Sequence, residues 1–382
     1  MKLNRLTHLL VVLVCCTMIC ACGSNFNNSP STSSNTLANT TQMGGAREGS
    51  PLNLAATVST MAGTAQESGS TDGTGTAARF DYPSSITTDG TNLYVADTLN
   101  NTIRQIVIST GVVTTLAGTA GSTGSRDGTG TAALFYNPFG ITTDGTNLYV
   151  ADTNNNTIRK IIISTGVVTT LAGTAGSTGS KDGTGTAALF YNPFGITTDG
   201  TNLYVADASN NAIRQIVIST GVVTTIAGTA GVSGHTDGYG TVALFNFPSG
   251  ITTDGTSLYI ADTNNNTIRI FVIATGVVVT LAGTAGVTGY ADGTWTAASF
   301  DSPNGITTDG TNLYVADTNN NTIRKVVIST GAVTTLAGTA ETAGYTDGTG
   351  TAAYFSGPRG ITTDGTKLYV ADSNNDTIRD IQ

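Results

Sequence analysis

A period of 55 residues constrains this chain more than any other feature. One tyrosine and one arginine recur at that spacing six times without slippage. The tyrosines are Tyr94, Tyr149, Tyr204, Tyr259, Tyr314 and Tyr369, and the arginines are Arg104, Arg159, Arg214, Arg269, Arg324 and Arg379. A fixed period of this length indicates an array of supersecondary units, so the 382 residues need not divide into two or three ordinary domains.

One repeat, residues 84–138, predicts four short antiparallel strands joined by tight turns. Runs rich in Val, Ile, Thr and Tyr alternate with clusters of Gly, Asn and Asp, which is typical of all-β proteins. We predict strands at 85–88, 93–96, 102–109 and 112–117, followed by a long link to the next copy. Four strands and one long link per repeat are the organisation of a propeller blade.

The repeats also share a detailed motif, with small variations. Each contains an Asp-Gly turn, the stretch Leu-Tyr-Val-Ala-Asp or Leu-Tyr-Ile-Ala-Asp, an Ile-Arg pair and, in all but the last copy, Thr-Gly followed by a strand ending in Ala-Gly-Thr. This pattern resembles the NHL repeat, and the resemblance covers residues 53–382. It implies an all-β fold, a six-bladed β-propeller. It implies no particular activity, because propellers carry many unrelated functions.

The two ends of the array predict how the ring closes. Residues 57–63 match a fourth strand that lacks the first three, and residues 377–381 match a third strand that lacks the fourth. We therefore expect the N-terminal strand to pair with the C-terminal strand and complete the sixth blade. Such pairing leaves no unpaired strand edge between the termini.

The N-terminus predicts secretion and a lipid anchor. Lys2 and Arg5 precede an uncharged apolar run over residues 9–21, which suits a signal peptide and is too short for a comfortable membrane span. The stretch Ile-Cys-Ala-Cys-Gly at 19–23 resembles the lipobox of bacterial lipoproteins. This resemblance implies a signal peptide over residues 1–21 and a lipidated Cys22. Because Gly23 rather than Asp follows the cysteine, it also implies the outer membrane rather than the inner membrane; an ordinary cleaved signal with incidental cysteines is the alternative.

Residues 22–52 predict a flexible tether between the lipid and the repeats. They are rich in Ser, Asn, Thr and Gly and poor in apolar residues, so they cannot bury a core. A lipid on Cys22 would be the sole membrane contact that we expect.

Charge and cysteine content exclude several classes of function. The formal charge is −9, and an acidic protein repels phosphate backbones, so we expect no nucleic-acid partner. The four cysteines lie at 15, 16, 20 and 22, which leaves none for a disulfide or a metal site in the repeats. The Asx-rich turn at 152–157 lacks the glycine of a calcium loop, and the Gly-rich link at 173–182 lacks the spacing of a phosphate loop. We therefore predict no metal and no cofactor.

An aspartate lies seven residues before the periodic arginine in every repeat. A buried arginine requires hydrogen-bonding partners, preferably anionic ones. We therefore predict a structural role for these aspartates, as turn caps or as partners of the arginines. They are Asp97, Asp152, Asp207, Asp262, Asp317 and Asp372.

Positions at which the repeats differ are the candidates for function, because the shared positions serve the common scaffold. One variable column follows the first-strand proline, one lies in the long link, and one lies just before that proline. In propellers such links gather on one face, around the mouth of the central channel. From the first two columns we predict a candidate ligand-binding face formed by Phe139, Phe194, Ser249, Asn304, Arg359, His235, Tyr290 and Tyr345. Drift in exposed loops is the alternative interpretation.

The function that we predict is a binding scaffold for a protein or a glycan, monomeric and held in the cell envelope. The repeats contain a single histidine, His235, and few glutamates, which is a poor supply of general acids and bases. A hydrolase or lyase at the channel mouth and a structural envelope component are the alternatives. Residues 112–152 and 167–207 differ only at Arg126 versus Lys181. This near identity indicates a recent blade duplication and argues against a catalytic site that depends on blade-specific residues.

Overall fold

Residues 51–382 are described by a computed structural model, and they form six five-stranded antiparallel sheets. The sheets are the blades of a propeller, so the predicted six-bladed, all-β fold is confirmed. The described residues contain short 3-10 turns but no α-helix, and no helix among them is long and apolar enough to cross a membrane. The predictions for the signal peptide, Cys22 and most of the tether lie outside the described residues.

Each blade consists of an inner strand at the channel, a second, a third and an outer strand, and a two-residue edge strand. In that order, the strands of blade 1 are Pro83–Thr88, Asn92–Asp97, Thr102–Val107, Val112–Ala117 and Gly73–Thr74. Those of blade 2 are Pro138–Thr143, Asn147–Asp152, Thr157–Ile162, Val167–Ala172 and Gly128–Thr129. Those of blade 3 are Pro193–Thr198, Asn202–Asp207, Ala212–Val217, Val222–Ala227 and Gly183–Thr184.

The strands of blade 4 are Pro248–Thr253, Ser257–Asp262, Thr267–Val272, Val277–Ala282 and Gly238–Tyr239. Those of blade 5 are Pro303–Thr308, Asn312–Asp317, Thr322–Val327, Ala332–Ala337 and Gly293–Thr294. Those of blade 6 are Pro358–Thr363, Leu368–Asp372, Thr377–Ile381, Thr57–Ala62 and Gly348–Thr349.

Short 3-10 turns follow all the edge strands and four of the second strands. The turns after the edge strands are Gly75–Ala77, Gly130–Ala132, Gly185–Ala187, Gly240–Val242, Trp295–Ala297 and Gly350–Ala352. The turns after second strands are Thr153–Asn155, Ala208–Asn210, Thr263–Asn265 and Ser373–Asn375.

The fifth strand corrects the prediction of four strands per blade. In blade 2 the link from blade 1 passes along the outer strand, and Gly128 and Thr129 pair with Val168 and Val167. The backbone N–H and C=O groups at the edge of the outer strand need hydrogen-bond partners, and so do those of the link. Here the two segments pair with each other. A strand of only two residues, one of them glycine, has no alternating pattern of apolar and polar residues. The sequence therefore could not reveal this element.

The ring closes as predicted, through the two ends of the array. Val58 lies opposite Ile381, and Thr60 lies opposite Arg379. Beyond the ladder, Thr57 and Gln382 exchange two backbone hydrogen bonds of 3.1 and 3.0 Å. The N-terminal strand is therefore the outer strand of blade 6, and no blade is left incomplete.

The folded region extends slightly beyond the predicted start at residue 53. Leu52 is only 8% exposed and packs into the cluster between blades 5 and 6. Its backbone N–H donates to Asp309 Oδ2 at 3.0 Å. The last tether residue in the sequence-based division is thus held by the propeller.

The core lies between neighbouring blades, because both faces of each sheet pack on another sheet. Between blades 1 and 2, for example, Tyr94 and Ile103 contact a cluster that includes Phe135, Ile141 and Leu148. All five side chains are less than 5% exposed. Two-sided packing explains why the third strands are apolar on both faces instead of alternating.

Each periodic arginine is fully buried between two carboxylates. In blade 1, Arg104 donates to Asp97 Oδ2 at 2.7 Å and to Asp72 Oδ1 at 2.8 Å. Its guanidinium also lies over the ring of Phe80, 5.1 Å from the ring centre. Burial raises the pKa of Asp97 to about 6, although the charge of Arg104 lowers it. The arginine thus ties the inner part of the blade to the link that precedes it.

The second carboxylate of each pair was not identified from the sequence. The six are Asp72, Asp127, Asp182, Asp237, Asp292 and Asp347. They recur with the same period of 55 in an Asp-Gly dipeptide of the link. Their regular recurrence in the link was the signal in the sequence that could have identified them.

Candidate functional site

The inner strands approach one another so closely at the channel that five of the six blades carry glycine at one position, whereas blade 1 carries Ser85. A Cβ atom on Gly250 or Gly305 would lie 1.9 Å from the carbonyl oxygen of Asn304 or Arg359 on the next blade. We call this ring of positions the glycine collar. It consists of Ser85, Gly140, Gly195, Gly250, Gly305 and Gly360. A channel cavity of about 130 Å³ is lined by the collar, by the variable residues that precede it except Phe194, and by the Ile and Thr residues that follow it.

A second cavity, of about 260 Å³, lies at the mouth of the channel on the face that carries the links. Four aromatic side chains line it, together with polar and apolar residues of the neighbouring turns. The aromatic residues are Tyr82, Phe139, Phe194 and Phe247. An apolar pocket with a few polar groups at its rim is the usual form of a ligand site.

The aromatic side chains and one arginine are in contact around one side of the mouth. The ring centres of Phe139 and Phe194 are 4.2 Å apart, and those of Phe194 and Phe247 are 5.0 Å apart. The guanidinium of Arg359 lies 5.3 Å from the ring centre of Tyr82 and 5.7 Å from that of Phe139. We refer to these five residues as the mouth arc. The tilted and edge-to-face aromatic contacts and the cation–π contacts hold these side chains in place.

Two members of the mouth arc occupy backbone positions that disfavour large side chains. Tyr82 and Phe247 have φ angles of +55° and +53°. At the same point of their repeats, other blades carry Asn137, Asn192, Ser302 and Gly357, which suit a left-handed or turn conformation better. A bulky residue at positive φ costs on the order of 1–3 kcal/mol, and such outliers cluster at functional sites.

The polar half of the mouth contains two kinds of side chain. The hydroxyls of Ser84 and Ser249 are hydrogen-bonded to those of Thr98 and Thr263 on the second-strand turns. Asn304, by contrast, is only 6% exposed, and its amide makes no side-chain hydrogen bond within residues 51–382. The serine hydroxyls therefore have hydrogen-bond partners within the propeller, whereas the side-chain amide of Asn304 has none.

Arg359 also lacks a polar partner within residues 51–382. It makes no ion pair there, and its buried Nε atom has no acceptor. It lines the channel cavity, and it is the one titratable side chain among the residues that do so. Within the same range no group of three or more His, Cys, Asp or Glu side chains is arranged to hold a metal ion.

Two carboxylates lie beside Tyr82, at the junction of blades 6 and 1. Asp376 Oδ1 accepts the backbone N–H of Tyr82 at 2.7 Å. Burial raises the pKa of Asp81, and burial together with the charge of Asp81 raises that of Asp376. The position of Asp376 is an asparagine in the other blades: Asn101, Asn156, Asn211, Asn266 and Asn321.

The structure divides the predicted ligand-binding face. Phe139, Phe194, Ser249, Asn304 and Arg359 begin neighbouring inner strands and surround the mouth. His235, Tyr290 and Tyr345 are exposed and line neither the channel nor the mouth cavity. Tyr82 and Phe247 belong to the third variable column, from which no candidates were chosen. Their signal was an aromatic residue where other copies have Asn, Ser or Gly.

Comparison with known proteins supports the sequence resemblance. The NHL repeat family model matches residues 245–271. NHL repeat-containing protein 2 of Gallus gallus is 30% identical over 335 residues, which cover 78% of this chain and 46% of that protein. Protein SUPPRESSOR OF QUENCHING 1, chloroplastic, of Arabidopsis thaliana is 31% identical over 287 residues, which cover 70% of this chain and 27% of that protein. The chain thus spans about half the length of the first of these relatives and less of the second.

Solved structures share the fold. A structural genomics protein of unknown function from Bacteroides thetaiotaomicron superposes with a TM-score of 0.65 at 24% identity, covering 85% of this chain and 75% of that one. An auxiliary nutrient binding protein from the same organism superposes with a TM-score of 0.64 at 17% identity, covering 85% and 76%. With the six repeats, the closed ring and the repeat-containing relatives, these similarities identify the chain as an NHL-repeat β-propeller protein.

Proposed function

We propose that this protein binds a glycan at the channel mouth while it is anchored to the bacterial envelope by a lipid. The mouth arc carries the proposal, because four aromatic side chains from successive blades converge on one cavity. The C–H face of a sugar ring packs well on an aromatic face, and the polar groups at the rim can meet its hydroxyls.

The size of the cavity favours a glycan over a folded protein. Stable protein–protein interfaces involve about 20–30 residues on each side, whereas ten residues line the mouth cavity. The mouth cavity of about 260 Å³ instead suits one or two sugar rings, and the glycine collar crowds the channel at its inner end. Among solved propellers with this fold is an auxiliary nutrient binding protein, so the fold is compatible with a binding role.

Replacement of Phe194 by Ser is expected to lower glycan affinity about tenfold or more. Ser is already found at this position in blades 1 and 4, as Ser84 and Ser249, so the variant should fold. The loss combines buried apolar area with an aromatic contact worth about 0.5–1.5 kcal/mol. A glycan array screened with the purified protein would identify ligands, and calorimetric titration of wild type and Phe194→Ser would measure the change.

The control for this experiment is Tyr290→Ser, which removes an exposed aromatic side chain that lines neither cavity. It should bind like the wild type. An array without a single bound glycan, or a Phe194→Ser variant that retains full affinity, would contradict the proposed function.

The anchor is tested separately, by replacement of Cys22 with Ser. The lipobox-like stretch at 19–23 motivates the proposal, since only the cysteine that follows the cleavage site can take the lipid. The variant is expected to leave the membrane fraction, whereas Cys16→Ser should stay with it. Unchanged fractionation and processing of the Cys22→Ser protein would refute lipidation at this site.

A further inference from the structure

We infer that the glycan is acidic, and that Arg359 and Asn304 bind its carboxylate at the inner edge of the mouth. The inference rests on the proposed function, because it names the ligand class of the same site. Three observations carry it: an arginine without an anion, a neighbouring amide without a side-chain partner, and an aromatic surface beside the arginine.

Arg359 differs from the other arginines of residues 51–382 in its surroundings. Each periodic arginine meets two carboxylates, and Arg79 pairs with Glu67. Arg126 is exposed and donates to the carbonyl of Ala132. Arg359 is partly buried, is held by aromatic faces and meets no anion. Partial burial of an unpaired cation is costly, and its planar fork of donors matches a carboxylate.

Asn304 supplies a second donor on the adjacent blade. The backbones of the two residues are neighbours, since a Cβ on Gly305 would touch the Arg359 carbonyl oxygen. In blades 1 and 4 the equivalent serines bond to a threonine hydroxyl, but in blade 5 Thr318 donates only to the carbonyl of Pro358, at 2.8 Å. The Asn304 amide therefore keeps free hydrogen-bonding capacity at the channel. A ligand carboxylate in contact with both side chains would use it.

The carboxylates of Asp81 and Asp376 limit where an anion can sit. Asp376 contacts the backbone of Tyr82, whose ring packs under Arg359, so its charge acts on the same region. A ligand anion is therefore expected on the Asn304 side of Arg359, away from Tyr82.

The test compares acidic glycans with the same glycans after their charge is removed. The probes are oligogalacturonate, oligoglucuronate and sialylated oligosaccharides, each beside its methyl ester, titrated into the purified full-length protein at two salt concentrations. We expect the acids to bind better than the esters, and Arg359→Gln to weaken the acids about 10- to 100-fold while leaving the esters unchanged.

Two further variants sharpen the result. Asn304→Ser, which introduces the residue of blades 1 and 4, should weaken only the acids, by about fivefold. Asp376→Asn introduces the residue of the other five blades, keeps an acceptor for the Tyr82 N–H, and should strengthen acid binding about two- to fivefold. Arg126→Gln removes an equal charge away from the mouth and should have no effect.

The outcomes separate the two claims. Equal binding of acid and ester, or acid binding that survives Arg359→Gln, would overturn the acidic ligand and leave the glycan site standing. If no glycan bound at all, the acidic ligand and the glycan site would both be overturned. The same conclusion would hold if carboxylate-terminated peptides bound in place of glycans.

Discussion

Deletion of residues 53–62 is expected to prevent the protein from folding into a soluble propeller. The deletion removes the outer strand of blade 6 and exposes the edge of Thr377–Ile381 and the apolar faces beside it. Val58, which is 1% exposed, alone contributes about 1.5–3 kcal/mol. With the lost ladder the cost reaches several kcal/mol, a large part of the roughly 5–15 kcal/mol that stabilises a domain. Thermal unfolding by circular dichroism, with light scattering for aggregates, measures the effect.

The matched control deletes residues 24–50, which lie outside the described residues. Because this deletion retains Leu52 and the closing strand, the melting temperature should change by no more than a degree or two. If the protein without residues 53–62 melted like the wild type, the two ends would not be joined in the way that the structure shows.

Replacement of Arg214 by Met is expected to destabilise the protein by about 3–5 kcal/mol at neutral pH. The variant keeps an apolar stem in the fully buried site but leaves Asp207 without its cation. Breaking a buried ion pair by removing one partner costs this much because the other charge stays buried. Urea unfolding of wild type and variant would measure the difference.

The loss should also depend on pH. Burial already raises the pKa of Asp207 to about 6 with Arg214 beside it, against about 3.9 in an unfolded chain. Without the arginine this pKa rises further, so the folded variant takes up a proton more readily than the unfolded one. At low pH Asp207 is protonated in the folded variant, so no uncompensated charge is buried. As the pH rises, deprotonation of the buried Asp207 costs free energy, so the variant should be destabilised more at pH 8 than at pH 5.

Asp182 provides the control on the same arginine. It also contacts Arg214, at 2.8 Å, but its side chain is 48% exposed. Asp182→Asn should cost only about 0–1 kcal/mol, as expected for a solvated pair. Equal effects of Asp182→Asn and Arg214→Met would show that burial does not set the strength of these contacts.

The fold was accessible from the sequence because it is repeated. Each turn and strand occurs several times, so a pattern that is ambiguous in one copy is clear from the others, and the unequal ends predict that residues 57–62 pair with residues 377–381. The edge strand Gly128–Thr129 was missed for a physical reason: it is fixed by the neighbouring outer strand and not by any pattern of its own. Link residues such as Asp127 were missed because their arginine lies 32 positions further along the chain.

The candidate site was accessible only in part. Differences between copies pointed to Phe139, Phe194 and Arg359, because a position beside the inner-strand proline must face the channel. The same criterion selected His235 and Tyr290, since variability does not report the distance of a residue from the propeller axis. Tyr82 had a signal in the sequence, an aromatic residue where most copies have Asn, Ser or Gly, but the strain at this position is evident only from its φ of +55°.

The near identity of residues 112–152 and 167–207 has a consequence for the mouth. Phe139 and Phe194 are copies of one residue, and in a closed ring a copied unit becomes the neighbour of its template. Their rings therefore meet at 4.2 Å without any later substitution at either position. A duplication of one blade would double the number of aromatic side chains at the mouth and place both copies on the same side of the propeller axis. A ring of repeats can in this way acquire an asymmetric recognition surface by gaining a unit, whereas a single globular domain would need a new side chain on a separate element.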